Sequence, residues 1–112
     1  MQPREPSRTR AAGIVIHGDA LLVMFRRKHD REYYTFPGGA VENGESPQEA
    51  AQREIAEETM IAVDVLDLLY ELRRTGNIPH ELFYRCGYRS GVPVLRDDSV
   101  EHAIFDEQKN YF

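Results

Sequence analysis

Three glutamates, Glu54, Glu57 and Glu58, stand at i, i+3 and i+4, so on an α-helix their carboxylates project from one face. Each like-charge pair of this kind costs only about 0.2–0.5 kcal/mol on an open surface. That penalty is too small to make the acidic stripe meaningful by itself. The stretch Pro37-Gly38-Gly39 upstream of it changes the reading, because backbone of this kind turns sharply and approaches a ligand with no side chain in the way. A loop carbonyl and three carboxylates can then meet at one point. An oxygen-only donor set suits a hard cation, Mg²⁺ or Mn²⁺, that also contacts substrate phosphates.

The elements that must hold these groups are marked by local signals. Ser46 is a good N-cap, Pro47 suits the first helical position, and Glu49 completes an S-x-x-E capping box. The residues from Ala50 to Glu58 favour helix, and Ala51 and Ile55 give it a narrow apolar edge to bury. Before the glycine loop, Ala11–His17 and Ala20–Arg26 are apolar runs joined by Gly18-Asp19, a hairpin signal. Neither run alternates with polar residues, which predicts strands buried on both faces. Tyr33–Phe36 is a further short strand. After the helix, Ala62–Arg73 reads as a long strand or a bent pair of strands and His80–Arg89 as a further strand, with Leu82, Tyr84, Cys86 and Tyr88 sharing a face. Residues 1–10 read as a flexible N-terminal tail and 11–112 as a single domain.

On these residues the chain resembles the Nudix hydrolases. The signature of that family is Gly, five residues, Glu, seven residues, then Arg-Glu-apolar-any-Glu-Glu-any-Gly-apolar. Gly39, Glu45, Arg53, Glu54, Ile55, Glu57, Glu58 and Ile61 fall in register with it, and Met60 stands where the last glycine belongs. The resemblance implies an α/β fold, a Nudix-type α/β/α sandwich built on a mixed β-sheet. The family's usual C-terminal strand and helix are not evident, since Val100–Phe112 has no helical period. It also implies a metal-dependent hydrolase that cleaves the diphosphate linkage of a nucleoside diphosphate joined to another group, with Mg²⁺ (or Mn²⁺) between the carboxylates and the polyanionic substrate. By matching position, Glu54, Glu57, Glu58 and the carbonyl of Gly39 are the metal ligands, Glu54 is the leading general base, and Arg53 with Glu45 locks the loop to the helix. Glu101 and Glu107 are alternative bases that no motif singles out.

Other residues invite functional readings beside plainer ones. Arg26, Arg27, Lys28, His29 and Arg31 form a basic cluster that either receives substrate phosphates, with Arg26 and Arg27 as the candidates, or is a solvated strand end. Tyr33, Tyr34, Phe83 and Tyr84 either stack a base or fill the core. The four histidines have no ligand spacing, and a single cysteine, Cys86, excludes an internal disulfide. A net charge of -5 argues against general nucleic-acid binding, and no apolar run reaches membrane-spanning length, so a cytoplasmic protein without membrane contact is expected. A second function class is a Nudix-like module that binds a nucleotide or regulates a partner without turnover; a calcium-binding structural domain is a third. A homodimer joined through the C-terminal strand region is expected, because a small domain with an uncovered sheet tends to associate. Met60 is expected to keep a negative φ and to turn its side chain into the apolar layer beside Ile55 and Ile61.

Overall fold

Gly18, at φ 63°, lets the chain reverse between β1 (Thr9–His17) and β2 (Ala20–Lys28), which pair antiparallel with Ile16 opposite Leu21 and His17 opposite Ala20. The computed structural model describes residues 9–28, 30–73, 80–92 and 101–106. β3 (Arg31–Thr35) runs back along β2, and β4 (Gly38–Ala40) lies along β1 with Ala12 opposite Gly38. The helix α1 (Pro47–Thr59) follows, then β5 (Ala62–Leu72) and β6 (His80–Ser90), an antiparallel pair broken by register shifts between Val65 and Leu68 and between Leu68 and Tyr70. β6 pairs in parallel with β1, from Thr9 opposite His80 to Ile16 opposite Gly87, so the sheet is mixed, as expected. Its order is β3-β2-β1-β6-β5.

β7 (Glu101–Asp106) pairs antiparallel with β2, so part of the C-terminal stretch in which no helical period is visible is a strand. β1 also begins at Thr9, two residues inside the stretch read as a tail. Both extensions are held by non-local pairing and carry no local signal of their own. β1 and β2 part after their two paired positions. Over Met24–Arg26, β2 is then flanked by β3 and β7, while over Arg10–Ala12 β1 is flanked by β4 and β6.

α1 buries Ala50, Ala51, Ile55 and Thr59 against one face of this sheet. There they meet Ala11, Val15, Leu22, Met24, Ile61, Val63, Leu82, Tyr84 and Cys86. Gly13 sets how closely helix and sheet approach: a Cβ there would lie 2.9 Å from Cys86 Sγ and would collide with Ile55 Cδ1. Burying the Ile55 side chain is worth about 1.5–3 kcal/mol, which makes the apolar edge of α1 the anchor that fixes where its acidic edge points. Among the described residues α1 is the only helix, and no helix is long and apolar enough to cross a membrane.

The expectation for Met60 is overturned. Met60 takes φ 66° and ψ 21°, a left-handed helix cap, and its side chain is 60% exposed instead of packed beside Ile55. The cause lies in its neighbours. Thr59 and Ile61 are both fully buried, so the link between α1 and β5 must reverse within one residue. Thr59 Oγ1 donates to the Ile55 carbonyl at 2.6 Å and accepts from the Ile61 amide at 3.1 Å, while the Met60 amide donates to the Ala56 carbonyl at 2.9 Å. These bonds hold the left-handed turn against a cost of about 1–2 kcal/mol for a residue with a Cβ.

Candidate active site

The phase of the acidic face is set at the start of α1. Ser46 Oγ accepts from the Glu49 amide at 3.0 Å and Glu49 Oε1 accepts from the Ser46 amide at 2.9 Å, closing the capping box. One turn on, Arg53 reaches out of the helix to the loop. Its Nε and Nη2 donate to the two carboxylate oxygens of Glu45 at 2.6 and 3.0 Å, and Nη2 also donates to the Ala40 carbonyl at 3.2 Å. Glu45 Oε1 in turn accepts from the Glu42 amide at 3.0 Å. The Arg53 hydrogen bond, reinforced by the backbone contact with Glu42, holds the Glu45 carboxyl below the usual carboxylate range, and Glu45 in turn raises the guanidinium of Arg53. Loop and helix are thereby joined as one rigid piece.

Glu54 and Glu58 sit against the glycine loop. A Cβ at Gly39 would come within 2.6 Å of Glu54 Oε1 and collide with its carboxyl carbon, so a larger residue there would push this carboxylate away from the backbone. Glu58 Oε1 accepts from the Gly38 amide at 3.1 Å. Burial pushes the Glu58 carboxyl up to about 7, and the charge of Glu54 adds to the rise; the Gly38 amide, Arg26 and Arg10 oppose it. Glu57 is more exposed, and its Oε1 shares Arg53 Nη1 with Glu54 Oε2, at 3.3 and 3.0 Å. In these side-chain positions, among the described residues, no three acidic, histidine or cysteine groups converge tightly enough to enclose an ion. The donor chemistry nonetheless fits a hard divalent cation: oxygen atoms only, a glycine cradle, and a half-buried carboxylate whose ionisation needs a positive partner.

A cavity of about 540 Å³ opens on the sheet nearby. Arg10 and Ala12 of β1, Arg26 of β2, Tyr33 and Thr35 of β3, Phe36, and Glu81 and Phe83 of β6 line it. Its two arginines both act on the charge of Glu58, which puts the cavity within electrostatic reach of the acidic helix. Arg26 Nε donates to Thr35 Oγ1 at 3.1 Å, and Arg10 Nε pairs with Glu81 Oε2 at 3.2 Å. The rings of Phe36 and Phe83 meet edge to face, 6.2 Å apart.

The structure divides the basic and aromatic candidates. Arg26 lines the cavity. Arg27 does not: it pairs with Glu32 at 3.1 Å and lies over the Phe25 ring. Tyr33 and Phe83 line the cavity, Tyr84 is buried in the core, and exposed Tyr34 meets Phe25 edge on. Glu101 falls in β7 opposite Arg26, whereas His29 and Glu107 lie outside the described residues. Arg10, Thr35, Phe36 and Glu81 were not legible as cavity residues. Arg10 and Glu81 are 71 positions apart and become neighbours only through the parallel pairing of β1 with β6.

A family model described as NUDIX domain matches residues 7–110. The chain is 36% identical over 89 residues to a MutT-like protein of Streptomyces ambofaciens, covering 80% of this chain and 57% of that protein. It is 32% identical over 97 residues to an RNA pyrophosphohydrolase of Shewanella sediminis, covering 87% of this chain and 51% of the other. It therefore spans little more than half the length of these relatives. Among solved structures, a NUDIX hydrolase from Nitrosomonas europaea superposes with a TM-score of 0.79 at 18% identity, over 95% of this chain and 60% of the other, a likeness of fold.

Proposed function

The chain belongs to the NUDIX domain family, and on that premise we propose that it hydrolyses the diphosphate linkage of a nucleoside diphosphate joined to a further group. The observation that carries this reading is the packing of Glu54 and Glu58 on Gly38-Gly39 within charge reach of Arg26, which lines the adjoining cavity. Glu54, Glu57, Glu58 and the Gly39 carbonyl would hold Mg²⁺, with Mn²⁺ as the alternative. When bound, such a cation offsets the charge of the diphosphate and makes water a competent nucleophile near neutral pH. Glu54, held beside the loop, takes the proton from the attacking water. Arg53 and Glu45 touch no substrate in this scheme; they keep helix and loop in register. Arg26 lies where it can meet a substrate phosphate, and Arg27 is not part of the scheme.

A cytoplasmic homodimer belongs to the same reading. The apolar residues near Phe112 expected to join the two copies lie outside the described residues; among those described, Leu66, Leu68, Leu69 and Tyr70 of β5 are exposed apolar residues that favour association. Light scattering that finds a stable monomer at micromolar concentration removes the dimer from it.

The deciding experiment is Mg²⁺-dependent release of phosphate products from a panel of nucleoside diphosphate derivatives. Turnover of at least one compound, abolished by chelation, is the expected result. The competing reading is a module that binds nucleotide without cleaving it, and the sharing of Arg53 Nη1 by Glu54 and Glu57 favours it. Nucleotide binding with no product from any compound selects that module and overturns the hydrolase.

A further inference from the structure

The cavity on the sheet carries a feature that the hydrolytic scheme does not use. Its two arginines suggest at first a pocket for phosphates. Arg10, however, already has its Nε on Glu81 at 3.2 Å, and both side chains are only partly exposed, at 36% and 25%. A carboxylate on the wall repels a phosphate, and the arginine paired with it has little charge left to attract one. What the pair does offer is N–H donors of a guanidinium beside the oxygens of an ionised carboxylate that can only accept. That pattern complements the edge of a nucleobase, where an N–H donor sits next to an oxygen or nitrogen acceptor. Ala12 leaves space over the sheet, and Tyr33, Phe36 and Phe83 supply apolar, aromatic walls suited to a flat ring.

From this we infer that the cavity receives the base of the nucleotide, and that Glu81, oriented by Arg10, is the specificity-determining residue that accepts the N–H of the base. The assignment rests on the nucleotide substrate proposed above. It places the base over β1 and β6 and directs the phosphates towards Arg26 and the acidic helix. Arg10 is a positioning residue here: its Nε, 3.2 Å from Glu81 Oε2, fixes where the carboxylate lies. Glutamine in place of Glu81 replaces two acceptors by one acceptor and one donor at nearly constant shape. It therefore changes which bases fit without emptying the pocket.

The test is equilibrium binding, by calorimetry on the full chain, of AMP, GMP, CMP and UMP against ribose 5-phosphate, with wild type and Glu81→Gln. Wild type binds its preferred nucleotide at least about tenfold more tightly than ribose 5-phosphate, the scale of one charged hydrogen bond. The N-methylated form of that base, with its donor blocked, loses most of this margin. In Glu81→Gln the ranking of the four bases changes, while ribose 5-phosphate, which has no base, binds no more weakly than to wild type, because the carboxylate that repels its phosphate is gone. That last result separates recognition from mere structural damage. Equal binding of ribose 5-phosphate and all four nucleotides by wild type overturns the inference. So does an unchanged base ranking in Glu81→Gln. Because binding is read without turnover, failure of the hydrolase proposal leaves this outcome independently measurable.

Discussion

The acidic end of α1 and the cavity over β1 and β6 are built in opposite ways. The first is assembled within a short span of chain: the capping box, the Arg53–Glu45 fork and the glycine loop all lie between Gly38 and Glu58. The second draws Arg10, Arg26, Tyr33, Glu81 and Phe83 from four different strands. In the first, helix geometry and a cap set the spacing of the chemical groups. In the second, strand order and register do. A locally specified site can carry a chemistry shared across a family, while a site made by register is free to change which molecule is accepted.

The largest expected effect strikes the local site. Glu54→Gln should lower Mg²⁺-dependent turnover by about 10²–10⁴-fold, the usual contribution of a positioned general base. Glu57→Gln should remove most of the activity, because a neutral amide cannot balance the charge of a cation. Without metal both variants should melt close to wild type, since each relieves repulsion on the helix face but gives up an ion pair with Arg53. Wild-type turnover in either variant would dissolve the distinction between the two regions.

Next in size is the anchor that aims the acidic face. Ile55→Ala should cost about 2–5 kcal/mol of stability, read as a lowered denaturation midpoint, because Ile55 is fully buried at the contact of α1 with the sheet. A loss under 1 kcal/mol would mean that the helix is held chiefly by its polar contacts with the loop, roughly the scale of a single surface pair.

A smaller effect follows from Glu58, whose carboxyl burial lifts from an ordinary 4.5 to about 7. The folded state therefore keeps this proton longer than the unfolded chain does. The associated stability is complete below the unfolded value and drains away as pH rises through about 7. Glu45, held low by Arg53, works in the opposite sense: its share is present above the unfolded value and is lost as pH falls. In chelator, the melting temperature of wild type should fall between roughly pH 5 and pH 8 relative to Glu58→Gln. Parallel curves for the two proteins would show that burial does not hold the proton on Glu58.

The smallest effect is expected at the helix exit. Met60→Gly should stabilise the chain by about 1 kcal/mol or less, the relief of a left-handed Cβ less the backbone entropy of glycine. Turnover should not change, because Glu57 and Glu58 lie upstream and their helix is already fixed by Ile55 and Arg53. A strong rise in turnover would show that Met60 displaces the acidic groups.

What the sequence by itself determined is whatever depends on neighbours within a few turns of chain. This covers the hairpin at Gly18-Asp19, the start of α1 at Ser46, the shared face of Glu54, Glu57 and Glu58, and the alternation that turns Leu82, Tyr84 and Cys86 to one side of β6. Tertiary structure alone decided what depends on distant pairing. Glu101–Asp106 is a strand because β2 offers it an edge, and Arg10 meets Glu81 because β1 and β6 lie parallel in one register. It also decided Met60, where local preference argues for negative φ and the burial of Thr59 and Ile61 on either side outweighs it. Periodicity and caps are written in consecutive residues. Register, edge partners and the cost a single residue is made to bear are set by the sum of contacts across the whole sheet.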